Sequence, residues 1–80
     1  MEITIRLLAG YRRHLPESHD EHGGYAQAMP VGTRVSDVLA RLPIPLSPGH
    51  TFFVNGRHAE RDQVLQPGDV LSVFPAVGGG

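Results

Sequence analysis

The sequence contains no cysteine and no lysine, and each absence excludes a kind of chemistry. Without cysteine, the chain can form no disulfide, no zinc–thiolate site and no cysteine nucleophile. All seven basic residues are arginine, which we attribute to genomic base composition; as a consequence, no side-chain amine is available to a reactive acyl group. The net charge of −1 supplies no basic field for binding nucleic acid or an anionic membrane.

The 80 residues, 40% of them apolar, suffice for one small hydrophobic core. Ten glycines and seven prolines favour many turns over long helices. The first ten residues, MEITIRLLAG, lack the basic start of a signal peptide, and their apolar run is too short to span a membrane. We therefore expect a single domain over residues 1–80, located in the cytoplasm.

Three segments precede the main helix. Residues 2–9 alternate between apolar and polar side chains, which predicts a strand with one buried face. Residues 10–24 are polar and bounded by glycine, which predicts a surface excursion with a short helical turn. Residues 25–31 follow as a second strand.

Four apolar residues then recur at helical spacing, namely Val35, Val38, Leu39 and Leu42. We expect Thr33 or Ser36 to cap the start of this helix, and Asp37 to stabilise its first turn through the helix dipole. Pro43 disfavours helical geometry at the residue before it, so the helix should end there. An extended, proline-rich connector then follows.

Two glycine-containing turns organise the last third of the chain. Asn55-Gly56 after an apolar run predicts a hairpin with a type I′ turn, and Pro67-Gly68 suits a type II turn. Beside the second turn, Val64-Leu65 should enter the core. Residues 70–77 are apolar on both faces, which is typical of a central strand. The element order predicts an α+β fold, in which a mixed sheet of four to five strands packs on one main helix.

The histidines raise the question of a metal site. His14, His19 and His22 share the 10–24 loop with Glu17, Asp20 and Glu21. Imidazoles and carboxylates can bind zinc or nickel, but a structural zinc site needs four ligands on a defined frame. We expect a solvated polar loop with no bound metal, and ordinary surface positions for His50 and His58. No nucleophile elbow or phosphate-binding glycine loop is present, so we do not expect an enzyme.

The chain ends in FPAVGGG, residues 74–80. Pro75 should direct the chain outward in extended form, as a flexible tail over residues 76–80. Glycines have no Cβ and can pass through a narrow channel into the active site of another protein. The reactive group would then be the terminal α-carboxylate, which becomes a good electrophile when it is joined to AMP from ATP.

Three motifs resemble the ubiquitin-like sulfur carriers of the MoaD/ThiS type. They are V-x-D-V-L-x-x-L over 35–42, F-V-N-G over 53–56, and L-x-P-G-D-V-L-x-V-F-P-A-V-G-G-G over 65–80. This family includes the small subunit of molybdopterin synthase and the sulfur carrier of the thiamine pathway. The resemblance covers nearly the whole chain and is most specific in the last sixteen residues.

The resemblance implies a ubiquitin-like β-grasp fold and a carrier role. A ubiquitin-activating-type enzyme would use ATP to adenylate Gly80, which would then become a thiocarboxylate and donate sulfur to a synthase subunit. Gly79 would be the second glycine of the terminal pair. Phe74, Pro75, Val77 and Gly78 would contact the partner. The carrier itself would bind no cofactor.

Two departures bear on the pathway. The molybdopterin subunits often carry an F-A-x-L-R-E-like stretch after the first strand, where this chain has L-A-G-Y-R-R. Thiamine carriers usually have little between their first two strands, whereas this chain has fifteen polar residues there. Length therefore slightly favours molybdopterin biosynthesis over thiamine or other thio-metabolites. The alternative function is a β-grasp interaction module that binds a partner through its last strand and is never activated.

Overall fold

The computed structural model describes residues 1–44 and 50–75. This part of the chain holds five strands, one α-helix and one 3₁₀ helix. In chain order they are β1 (Glu2–Leu7), the 3₁₀ helix (Ala9–His14), β2 (Gly24–Ala28), α1 (Val35–Arg41), β3 (His50–Val54), β4 (Arg57–His58) and β5 (Val70–Pro75).

The strands form one mixed sheet in the order β2-β1-β5-β3-β4. The first and last strands pair in parallel, with Ile5 opposite Leu71, and the remaining pairs are antiparallel. β5 therefore lies in the middle of the sheet, as its two apolar faces predicted. This mixed five-stranded sheet with one main helix confirms the predicted α+β architecture.

The core lies between one face of the sheet and α1. Alternation along β1 buries Ile3, Ile5 and Leu7 completely, because successive side chains of a strand point to opposite faces. Helix α1 covers them with a single apolar stripe formed by Val35, Val38 and Leu39. These are three of the four residues that the sequence spacing predicts; the fourth, Leu42, follows the helix as its C-cap residue and packs partly buried against the core.

The start of α1 differs from the sequence prediction. Arg34 is the N-cap residue, and its N–H donates to Oδ2 of Asp37 at 2.9 Å. Thr33 cannot cap because it lies before the cap position, where its hydroxyl donates to the carbonyl of Pro30. Ser36 is already inside the helix, and its N–H donates to the carbonyl of Arg61 at 2.8 Å. The loop that contains Arg61 thus satisfies an N–H group in the first turn of α1, a task that we expected a side-chain hydroxyl to perform.

The hairpin turn is confirmed by its backbone angles. Asn55 has φ 52° and Gly56 has φ 79°, which are the two positive values that a type I′ turn requires. The Asn55 side chain also reaches β5, where its Oδ1 accepts from the N–H of Val70 at 2.9 Å. Gly68 has φ 83°, as a type II turn needs at its second central position.

Three further details differ from the prediction. β1 ends at Leu7 and not at residue 9. Beside the Pro67-Gly68 turn, only Leu65 enters the core, at 2% exposure, while Val64 is 38% exposed. β2 ends at Ala28 and not at residue 31, and Val31 is 84% exposed. Proline offers no N–H to a sheet, so Pro30 limits how far β2 can extend. No helix within residues 1–44 and 50–75 is long and apolar enough to cross a membrane.

Candidate functional site

Phe74 and Pro75 occupy the end of the central strand β5. Both side chains are partly exposed, at the carboxyl end of a strand that has β1 on one side and β3 on the other. The other four predicted site residues, Val77, Gly78, Gly79 and Gly80, lie outside the described residues, as does the tail predicted over 76–80. The described part of the candidate site is therefore the surface around the base of this tail.

An aromatic row crosses the sheet face that points away from α1. The ring centroids of Phe74 and Phe53 are 5.5 Å apart, and those of Phe53 and His58 are 4.6 Å apart. Both distances suit favourable aromatic contacts. We call these three residues the aromatic row. It gives this face of the sheet an apolar surface that ends at Phe74, next to the last described residue of β5.

The hairpin explains why the row extends to β4. A two-residue turn at Asn55-Gly56 sets Val54 opposite Arg57, and therefore Phe53 opposite His58. Opposite residues of an antiparallel pair lie on the same face, so His58 stacks beside Phe53. The turn motif contained the signal for this pair, although the sequence analysis placed His58 only among surface residues.

Pro75 ends the parallel pairing between β1 and β5. The N–H of Leu8 donates to the carbonyl of Val73 at 3.0 Å. The next bond of such a ladder would come from the N–H of residue 75, which proline lacks. On its other side Pro75 lies opposite His50 of β3. The ladder between β1 and β5 thus ends at a position that the sequence itself determines.

A contact that the sequence did not predict lies beside the end of β5. Tyr11 of the 3₁₀ helix is 95% buried, and its hydroxyl is 2.8 Å from Nδ1 of His50. His50 is therefore not an ordinary surface residue: burial lowers its pKa from the usual value, and the nearby positive charge of Arg61 lowers it further. A tyrosine inside a polar, arginine-rich segment was the only available signal.

The histidine loop is organised by Asp20. Its Oδ1 accepts from the N–H groups of Gly24 and His22, each at 2.8 Å, and these two bonds lower the pKa of the Asp20 carboxyl. His22 Nε2 lies 3.5 Å from a carboxylate oxygen of Glu21. Among the described residues, which include this entire loop, no three histidine or acidic side chains are grouped closely enough to hold a metal ion.

The sheet order and the single main helix define the ubiquitin-like β-grasp class. SAMP1 from Haloferax volcanii shares this fold at a TM-score of 0.73, with 19% identity over 100% of both chains. A protein described as molybdopterin converting factor subunit 1, from Pyrococcus furiosus, matches at a TM-score of 0.74, with 22% identity over 95% of this chain and 98% of its own. The HVO 2177 protein of Haloferax volcanii matches at 0.75, with 26% identity over 100% and 87%.

The sequence model of the ThiS family matches residues 8–80. The chain therefore belongs to the ThiS family, as its motifs indicated. No curated protein matches the sequence significantly.

Proposed function

We propose that this protein is a sulfur carrier of the ThiS/MoaD type, acting through the carboxylate of Gly80. In the first step, the carboxylate attacks the α-phosphate of ATP to give an acyl adenylate and pyrophosphate, on a ubiquitin-activating-type enzyme. A sulfur donor at the sulfide oxidation level then attacks the acyl carbon and releases AMP, which leaves a thiocarboxylate. The observation that carries this proposal is membership in the ThiS family over residues 8–80, which include the complete FPAVGGG motif.

The described surface supports the proposal by offering a place for partners to dock. The aromatic row ends at Phe74, and Pro75 beside it is the last residue of β5. We propose that Phe74 and Pro75, together with Val77 and Gly78, contact the activating enzyme and the acceptor. Buried aromatic residues dominate the energy of many interfaces, because they remove a large apolar area from water.

We propose molybdopterin biosynthesis as the pathway, with a synthase subunit as sulfur acceptor in the cytoplasm. The long segment between β1 and β2 favours this over the thiamine pathway, and one structural neighbour is described as a molybdopterin converting factor subunit. In this role the chain is a carrier that another enzyme modifies, and ATP is bound by that enzyme.

A mass measurement tests the chemistry. The chain is produced with Gly80 as its C-terminal residue and incubated with ATP, sulfide and the activating enzyme of its own organism. The expected product is heavier by the difference between sulfur and oxygen. A chain lacking Gly80 is the matched control, since it keeps every described residue. Sulfur transfer that survived this deletion would rule out the proposal, and partner binding without any change of mass would support the interaction-module alternative.

A further inference from the structure

Strand β2 forms one edge of the sheet, and its hydrogen-bonding pattern decides which of its groups face outward. The N–H of Met29 donates to the carbonyl of Met1 at 2.8 Å, and the N–H of Leu7 donates to the carbonyl of Gly23 at 3.0 Å. In an antiparallel pair, bonded and non-bonded residue pairs alternate. The residues bonded to β1 are therefore the odd-numbered ones between Gly23 and Met29. The even-numbered residues between them point their N–H and C=O groups away from β1.

The outward positions are Gly24, Ala26 and Ala28. The loop closes the first of them, because Gly24 exchanges hydrogen bonds of 2.8 Å with the side chain and the backbone N–H of Asp20. From the part of the chain that the structure describes, the carbonyl of Ala28 accepts only a long bond, 3.4 Å, from the neighbouring Gln27 side chain. Within the described residues, the N–H and C=O of Ala26 make no hydrogen bond. Its small methyl side chain leaves both groups accessible to a partner.

A groove runs beside this open edge, on the face that carries α1. Its volume is about 370 Å³, and its apolar lining comes from Pro16, Tyr25, Met29, Val38, Leu42 and Pro43. Tyr25 lies on β2 itself and is half-buried, and burial raises the pKa of its hydroxyl. A strand added to β2 would place its alternate side chains against this lining, because neighbouring strands share their two faces.

The groove is lined by one cationic side chain, Arg41, and by the imidazole of His14, and no acidic residue lines it within the described part of the chain. The His22–Glu21 contact is the only one at salt-bridge distance among residues 1–44 and 50–75, so neither Arg41 nor His14 lies that close to a carboxylate there. The groove therefore complements a carboxylate.

We propose that β2 and this groove bind an extended peptide segment of a partner protein. The segment adds a strand to the edge by pairing with the N–H and C=O of Ala26, inserts alternate aliphatic side chains beside Tyr25, and sets an acidic residue near Arg41 and His14. Peptides that extend a sheet in this way derive affinity from main-chain bonds and specificity from side-chain pockets. A second copy of the chain would bring the same cationic groove, so charge favours an acidic peptide.

This surface is separate from the aromatic row. The row lies on the opposite sheet face and includes β3, β4 and β5, whereas the groove lies between β2 and α1. A partner bound at β2 would therefore leave Phe74 accessible. Peptide binding requires no activation of Gly80, so this proposal and the proposed sulfur transfer succeed or fail independently.

Nuclear magnetic resonance of the full ¹⁵N-labelled chain tests the proposal with a defined probe. The probe is a capped synthetic peptide in which Val and Ile alternate with Ser, followed by a run of Asp. We expect saturable shifts at the amides of Ala26, Ala28 and Tyr25. A matched peptide with Lys in place of Asp should bind more weakly, and Arg41→Glu should reverse that preference.

Ala26→Pro tests the main-chain bond. The substitution removes only an outward N–H, so the β1–β2 ladder keeps its bonds, and we expect binding about tenfold weaker. Ala26→Val keeps the N–H and should bind like the parent chain. If Ala26→Pro does not fold, a peptide N-methylated at alternate residues tests the same bonds from the other side.

Three results would overturn the proposal. The first is unchanged affinity for both Ala26→Pro and the N-methylated peptide. The second is a set of shifts confined to the aromatic row. The third is a shift of the Ala26 amide with protein concentration alone, together with a dimer in sedimentation, since a second copy would then occupy the edge.

Discussion

The hydroxyl of Tyr11 and Nδ1 of His50 lie 2.8 Å apart, and this contact joins the 3₁₀ helix to the first residue of β3. The two residues are 39 positions apart in sequence, and they meet beside the end of β5. Pro75 lies opposite His50 in the sheet. The Tyr11–His50 contact thus connects the 3₁₀ helix with β3, beside Pro75 at the end of β5.

The first prediction concerns this hydrogen bond. Tyr11→Phe keeps the buried ring and removes the hydroxyl, so we expect the free energy of unfolding to fall by about 1 kcal/mol. Urea denaturation measures it. Tyr25→Phe is the matched control, because the Tyr25 hydroxyl makes no side-chain hydrogen bond among the described residues and its removal should change stability little. Equal effects of the two substitutions would contradict the prediction.

The second prediction concerns pH. Burial and Arg61 lower the pKa of His50 in the folded protein, so the unfolded chain binds its proton more readily. The contribution of neutral His50 to stability is therefore fully present above its unfolded pKa of about 6.5, and it is lost as the pH falls towards the lower folded value. Unfolding free energies measured across this range should decline less steeply for His50→Gln than for the parent chain. An unchanged slope in His50→Gln would contradict the prediction.

The third prediction concerns docking by the aromatic row. Phe74→Ala should weaken binding to the activating enzyme by about tenfold or more, since aromatic contacts at an interface centre often contribute at least 1.4 kcal/mol. Isothermal titration calorimetry measures the affinity. Val31→Ala removes an apolar side chain that is 84% exposed and lies outside the row, so it should bind normally. If both variants lost affinity equally, the row would not be the docking surface.

The fourth prediction concerns the proposed channel for the tail. Gly79→Val adds a branched side chain that a narrow active-site channel cannot admit, so thiocarboxylate formation should stop. Mass spectrometry detects the loss, and thermal unfolding should show little change. If the Gly79→Val chain still formed the thiocarboxylate, a residue without a side chain would not be required at position 79.

The fifth prediction compares two glycines with positive φ. Gly23 has φ 77°, and a Cβ there would lie 2.6 Å from the carbonyl oxygen of Leu7. Gly32 has φ 95°, but a Cβ there would meet no atom within 4 Å. Gly23→Ala should therefore destabilise the fold by several kcal/mol, and Gly32→Ala only by the backbone strain of about 1 kcal/mol or slightly more. Chemical denaturation of both variants measures the difference, and similar losses would contradict the role given to Leu7.

Local rules were sufficient for several elements. The spacing from Val35 to Leu42 predicted the helix, Asn55-Gly56 predicted the hairpin, and the apolar faces of residues 70–77 predicted a central strand. Each of these signals acts over a few residues, where side-chain periodicity or backbone angles decide the structure. The terminal motif of residues 65–80 also predicted the family that the comparison confirmed.

Other features required the folded chain. The capping of α1 differs from the prediction because the carbonyl of Arg61, from a distant loop, satisfies the N–H of Ser36. Leu65 is buried and Val64 exposed because a single strand-like segment can turn only one of them towards the core. The Tyr11–His50 contact joins segments that no local rule relates.

The sequence by itself determined the type and order of the main elements, the family and the motif at the carboxyl end, because periodicity and turn chemistry are local. Only the tertiary structure decided which side chains surround the carboxyl end of β5, and which backbone N–H and C=O groups of β2 have no hydrogen-bond partner among the described residues. Those properties depend on strand order and register, and these arise when the whole sheet packs against α1.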